Sequence, residues 1–149
     1  MTTASDAELQ AAIRRAYDCA LEDNRDELIE ALVRISEWGV MGVHVAVMGW
    51  SAIMLGCSTG DFKPDRRGFY SLECLDTQTG SVVAVDQVVS RAEREAMQLV
   101  SLYGNQDHDT AVAICTAAAA EDGAASLMWA SCTMAAAMTL ELLESQPEE

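Results

Sequence analysis

The chain has 149 residues, half of them hydrophobic and 22% charged, a composition that buries enough apolar surface to fold as one domain and is too apolar to stay disordered. Its 24 acidic side chains stand against 9 basic ones, for a formal net charge of -15, which disfavours direct binding of nucleic acid because phosphate contacts supply most of that affinity. Five cysteines, at 19, 57, 74, 115 and 132, lie 17 or more residues apart, a spacing without the close pairs of zinc and redox sites, so they read as small buried groups in a reducing compartment.

The expected domain spans 1–149, with 1–4 and 145–149 as loose ends. Ser5 followed by Glu8 is a capping pair, and Leu9, Ala12, Ile13, Ala16, Tyr17 and Ala20 recur at helical spacing, which predicts a first helix from about 6 to 21. Asn24 with Glu27 repeats the signal, and Leu28, Ala31, Leu32 and Ile35 form the apolar stripe of a second helix, paired with the first as a hairpin. From Trp38 to Gly60 there is no charged side chain, a length that raises a membrane span. Five glycines, His44 and Ser51 dilute the run, and Glu37 and Asp61 flank it where a span favours Lys or Arg. The reading is a buried central helix and no membrane. Gly42, Ala46, Gly49, Ala52 and Gly56 share one side of it, a smooth face on which another helix can pack closely.

Gly60, Pro64 and Gly68 mark 58–68 as a loop and the natural hinge between two halves. Phe69 to Asp76 and Ser81 to Val88 are β-rich runs joined by Thr77-Gln78-Thr79-Gly80, which predicts a hairpin. Ser90 and Glu93 then cap a helix traced by Ala92, Ala96, Leu99 and Tyr103 and closed by Gly104. Another helix follows Asp109 to about Ala120, and a last one runs from about Ala124 to Glu144. That last helix is apolar nearly all round, so it must be buried on more than one side. Leu21, Asn24 and Asp26 align with Leu102, Asn105 and Asp107 at a spacing of 81, read as shared cap chemistry rather than duplication. The fold class is therefore mostly α: about five helices packed in one domain, with a single β-hairpin at about 69–88 between an N-terminal and a C-terminal helical half.

Chemistry-bearing constellations are short of parts. No Gly-rich phosphate loop, nucleophile elbow or local Cys-His pair occurs, and no catalytic residue, cofactor or metal site is assigned. His108, between Asp107 and Asp109, reads as part of an acidic helix start. His44 shares a face with Ser51 and lies near Met41 and Met48; it is read as satisfied by a neighbouring carbonyl, with a ligand site as the alternative.

After Arg94 no Lys or Arg follows, while nine acids do, a field that attracts a basic protein. The leading expectation is a non-enzymatic adaptor or regulator that works by helical protein–protein interaction. One rival is an acidic nucleic-acid mimic that blocks a DNA- or RNA-binding protein, and a second is a small-molecule binder or enzyme around His44. Two apolar helices in one small domain both ask for cover, which predicts a homodimer through Gly42, Ala46 and Gly49 or through Met128, Met134 and Met138. Partners are thus a second copy, a basic protein, or both, and the expected location is cytoplasmic.

The order of parts, from the helical hairpin and small-residue helix to Phe69-Tyr-Ser-Leu-Glu-Cys-Leu-Asp-Thr-Gln-Thr-Gly80 and Asn105-Gln-Asp-His-Asp-Thr-Ala111, resembles small proteins of high-GC actinobacteria and their phages. One Lys against eight Arg agrees with such a genome. The resemblance implies a cytoplasmic or phage setting, and neither an activity nor site residues.

Overall fold

The structure, a computed structural model, describes residues 3–57, 74–75, 82–83 and 91–145. In chain order it contains α1 (Thr3–Leu21), α2 (Arg25–Ser36), α3 (Gly39–Cys57), β1 (Cys74–Leu75), β2 (Val82–Val83), α4 (Arg91–Gly104), α5 (His108–Ala120) and α6 (Ala124–Ser145). The helices number six among the described residues, so the expectation of about five is corrected, and each periodic segment of the sequence is one of them.

The expected hairpin over 69–88 is corrected as well. Among the described residues of that run Cys74 lies opposite Val83 and Leu75 opposite Val82, and the described core is built by helices. The Thr77–Gly80 turn, the remainder of both runs and the expected 58–68 hinge lie outside the described residues. β-Branched composition expresses how well a side chain suits a half-buried pleated surface, and a two-stranded ribbon is marginal without a further layer to pack on.

Local chemistry explains the helix limits. The Asn24 side chain accepts from the Glu27 backbone N–H at 3.4 Å and starts α2, whose buried face is Leu28, Ala31, Leu32 and Ile35 as the periodicity requires. Asp107, not Asp109, caps α5, taking the Thr110 N–H at 3.2 Å and the Thr110 hydroxyl at 2.8 Å. α1 begins at Thr3, so Ser5 lies inside the helix and not at its cap.

Three inter-helix turns share one hydrogen-bond pattern. Between α1 and α2, Asn24 N–H reaches Cys19 O at 2.8 Å and Asp23 N–H reaches Ala20 O at 3.3 Å, with Asp23 left-handed at φ 57. Asp107 and Gln106 (φ 62) repeat this between α4 and α5, and Gly123 and Asp122 (φ 57) repeat it between α5 and α6. These bonds satisfy carbonyls at the helix end, and a residue in left-handed conformation makes them possible. Gly104 and Gly123 are therefore not the left-handed residues that a glycine stop suggests. Gly123 donates to Ala118 O at 2.7 Å, and a Cβ there would lie 3.2 Å from the same oxygen.

The two halves repeat one another. At a shift of 83 residues Asn24 falls on Asp107, and the buried Leu28, Leu32 and Ile35 fall on the buried Ala111, Cys115 and Ala118. At a shift of 85, after a slightly longer second helix and turn, Val43, Val47 and Trp50 fall on Met128, Cys132 and Ala135, all buried. Packing is reciprocal too: α3 and α6 form the central pair, α1 lies on α6 as α4 lies on α3, and α2 meets α6 as α5 meets α3. Such exchange of equivalent contacts is the signature of a two-fold relation. The echo at 81 pairs Asn24 with Asn105, a turn residue, and so misses the correspondence by two positions.

The core sits at the α3–α6 crossing, where Trp50, Met54, Leu127 and Met128 pack with Leu99, Val100 and Ile35, all under 2% exposed. By length and composition α3 and α6 are the two described helices apolar enough to cross a membrane; in the fold they form the central pair, with 44% and 39% of those stretches buried.

Candidate functional site

The residues expected to form an interface are distributed as follows. Gly42, Ala46 and Met128 are buried within the chain, while Gly49, Met134 and Met138 are half-buried. A Cβ on Gly42 would lie 2.7 Å from Ile35 O and 2.6 Å from Trp38 Cβ, so this glycine serves the tight α2–α3 turn. Gly49 faces Ile13 of α1. Ala52 and Gly56, on the same expected face, are exposed. Their own chain covers these helices in part, and Met41 on α3 and Leu140, Leu142 and Leu143 on α6 remain exposed.

His44 has gained partners that sequence reading did not bring to it. It is 7% exposed; the Tyr103 hydroxyl lies 2.8 Å from its Nδ1 and 3.3 Å from its backbone carbonyl. The expected carbonyl partner is thus a tyrosine hydroxyl from α4. His108, at the start of α5, sets its ring edge-on to His44 with centroids 6.4 Å apart. Burial, and secondarily His108, holds the His44 pKa below that of free imidazole. Tyr103 and the nearby Cys115 are pushed up, mainly by burial. Ser51 is fully buried and makes no hydrogen bond to this group, and Met41 is 60% exposed.

The internal repeat gives this cluster its meaning. Tyr103, His108 and His44 correspond to Ala20, Arg25 and Trp129 in the other half, and there the Arg25 guanidinium stacks over the Trp129 ring at 5.7 Å. Each half therefore sets an aromatic ring of its third helix beneath the first inter-helix turn of the other half. The His44 group is the counterpart of a packing corner. Its inner members are closed to solvent, and no group of three metal-ligating side chains occurs among the described residues.

An open surface lies elsewhere. α1 and α2 enclose a half-open groove of ≈ 670 Å³. Its floor is small (Ala11, Ala12, Ala31), its wall is Ile29 and Val33, and charged residues including Glu8, Glu37 and Arg34 ring it. Ile29 and Val33 are 50% and 57% exposed. Arg15, at the other rim, is engaged by Glu27 at 2.7 Å.

The equivalent cleft between α4 and α5 is built differently. Glu8 corresponds to Arg91, Ala12 to Glu95, and the α2 C-cap Glu37 to the α5 C-cap Glu121. Arg91 pairs with Glu95 at 2.8 Å and also with Glu121, bridging the two helices. Ile29 and Val33 correspond to Val112, half-buried, and Thr116, whose hydroxyl donates to Val112 O at 2.8 Å. The same helix pair can therefore be finished with a threonine at the outermost of these positions and an ion-paired cleft. The first half keeps an apolar wall and an alanine floor, and sets two glutamates where the second has an ion pair.

Sequence reading passed over Ile29 and Val33 because the four buried residues of α2 already complete its stripe. The available signal was that they add a second apolar pair, four residues apart, on a helix whose inner face is already accounted for. Comparison with protein-family models, with curated proteins and with solved structures finds no match to this chain.

Proposed function

We propose that this chain is a non-enzymatic helical interaction protein, an adaptor or regulator, that meets a basic partner through the α1–α2 groove. The observation that carries the reading is the exposure of Ile29 and Val33 along an open groove whose counterpart has a half-buried valine, a threonine and an ion-paired cleft. Folding does not demand an apolar side chain at the position of Val33, since Thr116 stands at the equivalent place in the other helix pair. Covering about 200 Å² of such surface, at roughly 25 cal/mol per Å², offers about 5 kcal/mol before ordering costs. The net charge of -15 adds attraction toward a positively charged surface and speeds encounter.

The test is site-specific photo-crosslinking in the native cell, with benzoylphenylalanine at Val33 and, separately, at its equivalent Thr116. A defined adduct at Val33 that is absent at Thr116 is expected. Failure to capture any protein at Val33, or the same adducts at both sites, would refute the groove as the contact surface.

A further inference from the structure

We propose that the occupant of the α1–α2 groove is a basic amphipathic helix, which sets a large apolar side chain on the alanine floor and a Lys or Arg between Glu8 and Glu37. This rests on the interaction reading above and adds the shape and charge of the partner.

Shape comes first. A groove between two helices with alanines at its base accepts a side chain larger than its own, and Ile29 and Val33 provide an apolar wall one helical turn in length. α2 has 12 residues, about 18 Å of axis, so the groove matches about three turns of a partner helix and two or three anchors at i, i+4 and i+7.

Charge selects the partner. In the second half the position of Glu8 is taken by Arg91, and its guanidinium lies between α4 and the end of α5, on Glu95 and Glu121. The first half has Glu8 and Glu37 at those places, two like charges, with Glu30 and Arg34 also lining the groove and Arg15, the remaining cation, held by Glu27. A cation supplied by another chain would restore the arrangement that the second half makes for itself. A second copy of this chain brings a further net charge of -15 to an acid-bearing rim, and like charge on both sides opposes that docking.

The probe is a synthetic 16-residue helical peptide with Leu at i, i+4, i+7 and i+11 on one face and Lys on the other, its binding followed by fluorescence anisotropy. A control peptide has the same composition with the leucines spread around the helix. The amphipathic peptide should bind at least tenfold tighter than the control. Val33→Glu, and Glu8→Arg, which places a cation opposite Glu37 as Arg91 stands opposite Glu121, should each weaken it at least tenfold. Thr116→Glu should leave affinity unchanged, and all three variants should keep the parent melting temperature. Equal affinity for both peptides, or indifference to Val33→Glu, would overturn the proposal and reduce the attraction to charge alone. If the peptide fails to bind while benzoylphenylalanine at Val33 still captures a native protein, the helix is wrong and the groove stands; if both fail, both readings fall.

Discussion

At the scale of single residues, His44 links folding to pH. Its ring is buried against Tyr103 of α4 and faces His108 of α5, with Cys115 of α5 beyond the tyrosine. Burial is the larger cause of its lowered pKa and the His108 ring the smaller. The unfolded chain takes up a proton near the ordinary imidazole value of 6.5, and the native chain does so only at lower pH. Stability conferred by neutral His44 is thus complete above that value and declines as pH falls from about 7.5 through 6.5 toward the native pKa. The urea midpoint should be lower at pH 5.5 than at 7.5, and His44→Gln should flatten the difference. His108→Gln should reduce it only in part, because burial remains. Equal slopes for the parent and His44→Gln would show that other groups carry the dependence.

At the scale of helices and turns, two substitutions act in opposite directions. Gly42→Ala forces a methyl against Ile35 O and the Trp38 side chain, and should cost about 1–3 kcal/mol as overpacking does. Gln106 holds φ 62 with a side chain, and Gln106→Gly should relieve about 1 kcal/mol of that strain, part of it offset by the freer unfolded chain. Denaturant midpoints measure both, and a neutral Gly42→Ala would mean that the α2–α3 turn yields more readily than its geometry suggests. These positions also show what the sequence made legible. α2 and α6 are readable because a cap residue or a Glu-Asp-Gly stop brackets a periodic run. The left-handed turns are not, since their key residues are Asp and Gln while conspicuous glycines stand one or two places away. The β-rich runs misled because composition alone does not supply a layer to pack on, and the cover for the described core came from helices. The repeat was hidden because equivalence lies in structural role: Asn24 and Asp107 cap, His44 and Trp129 fill a corner, and few letters coincide. The groove was hidden because its counterpart, which makes it unusual, cannot be identified until the halves are superposed.

At the scale of the whole molecule, the two apolar helices form the central pair and leave Met41, Leu140, Leu142 and Leu143 as their exposed large apolar side chains. Light scattering after size exclusion should report a monomer at micromolar concentration in ordinary salt, and a stable dimer would show that the half-buried Met134 and Met138 region, or the exposed Leu140 and Leu143 at the end of α6, is an interface after all. The reciprocal packing has a cost in time. Val43 of α3 and its equivalent Met128 of α6 are separated by 85 residues, which a ribosome adds in about 4–17 s at roughly 5–20 residues per second. For that interval α3 emerges with Val43, Val47 and Trp50 and without the helix that will shield them. The newborn first half must then be held by a chaperone or by its own acidic surface, which keeps neighbouring nascent chains apart until α6 arrives.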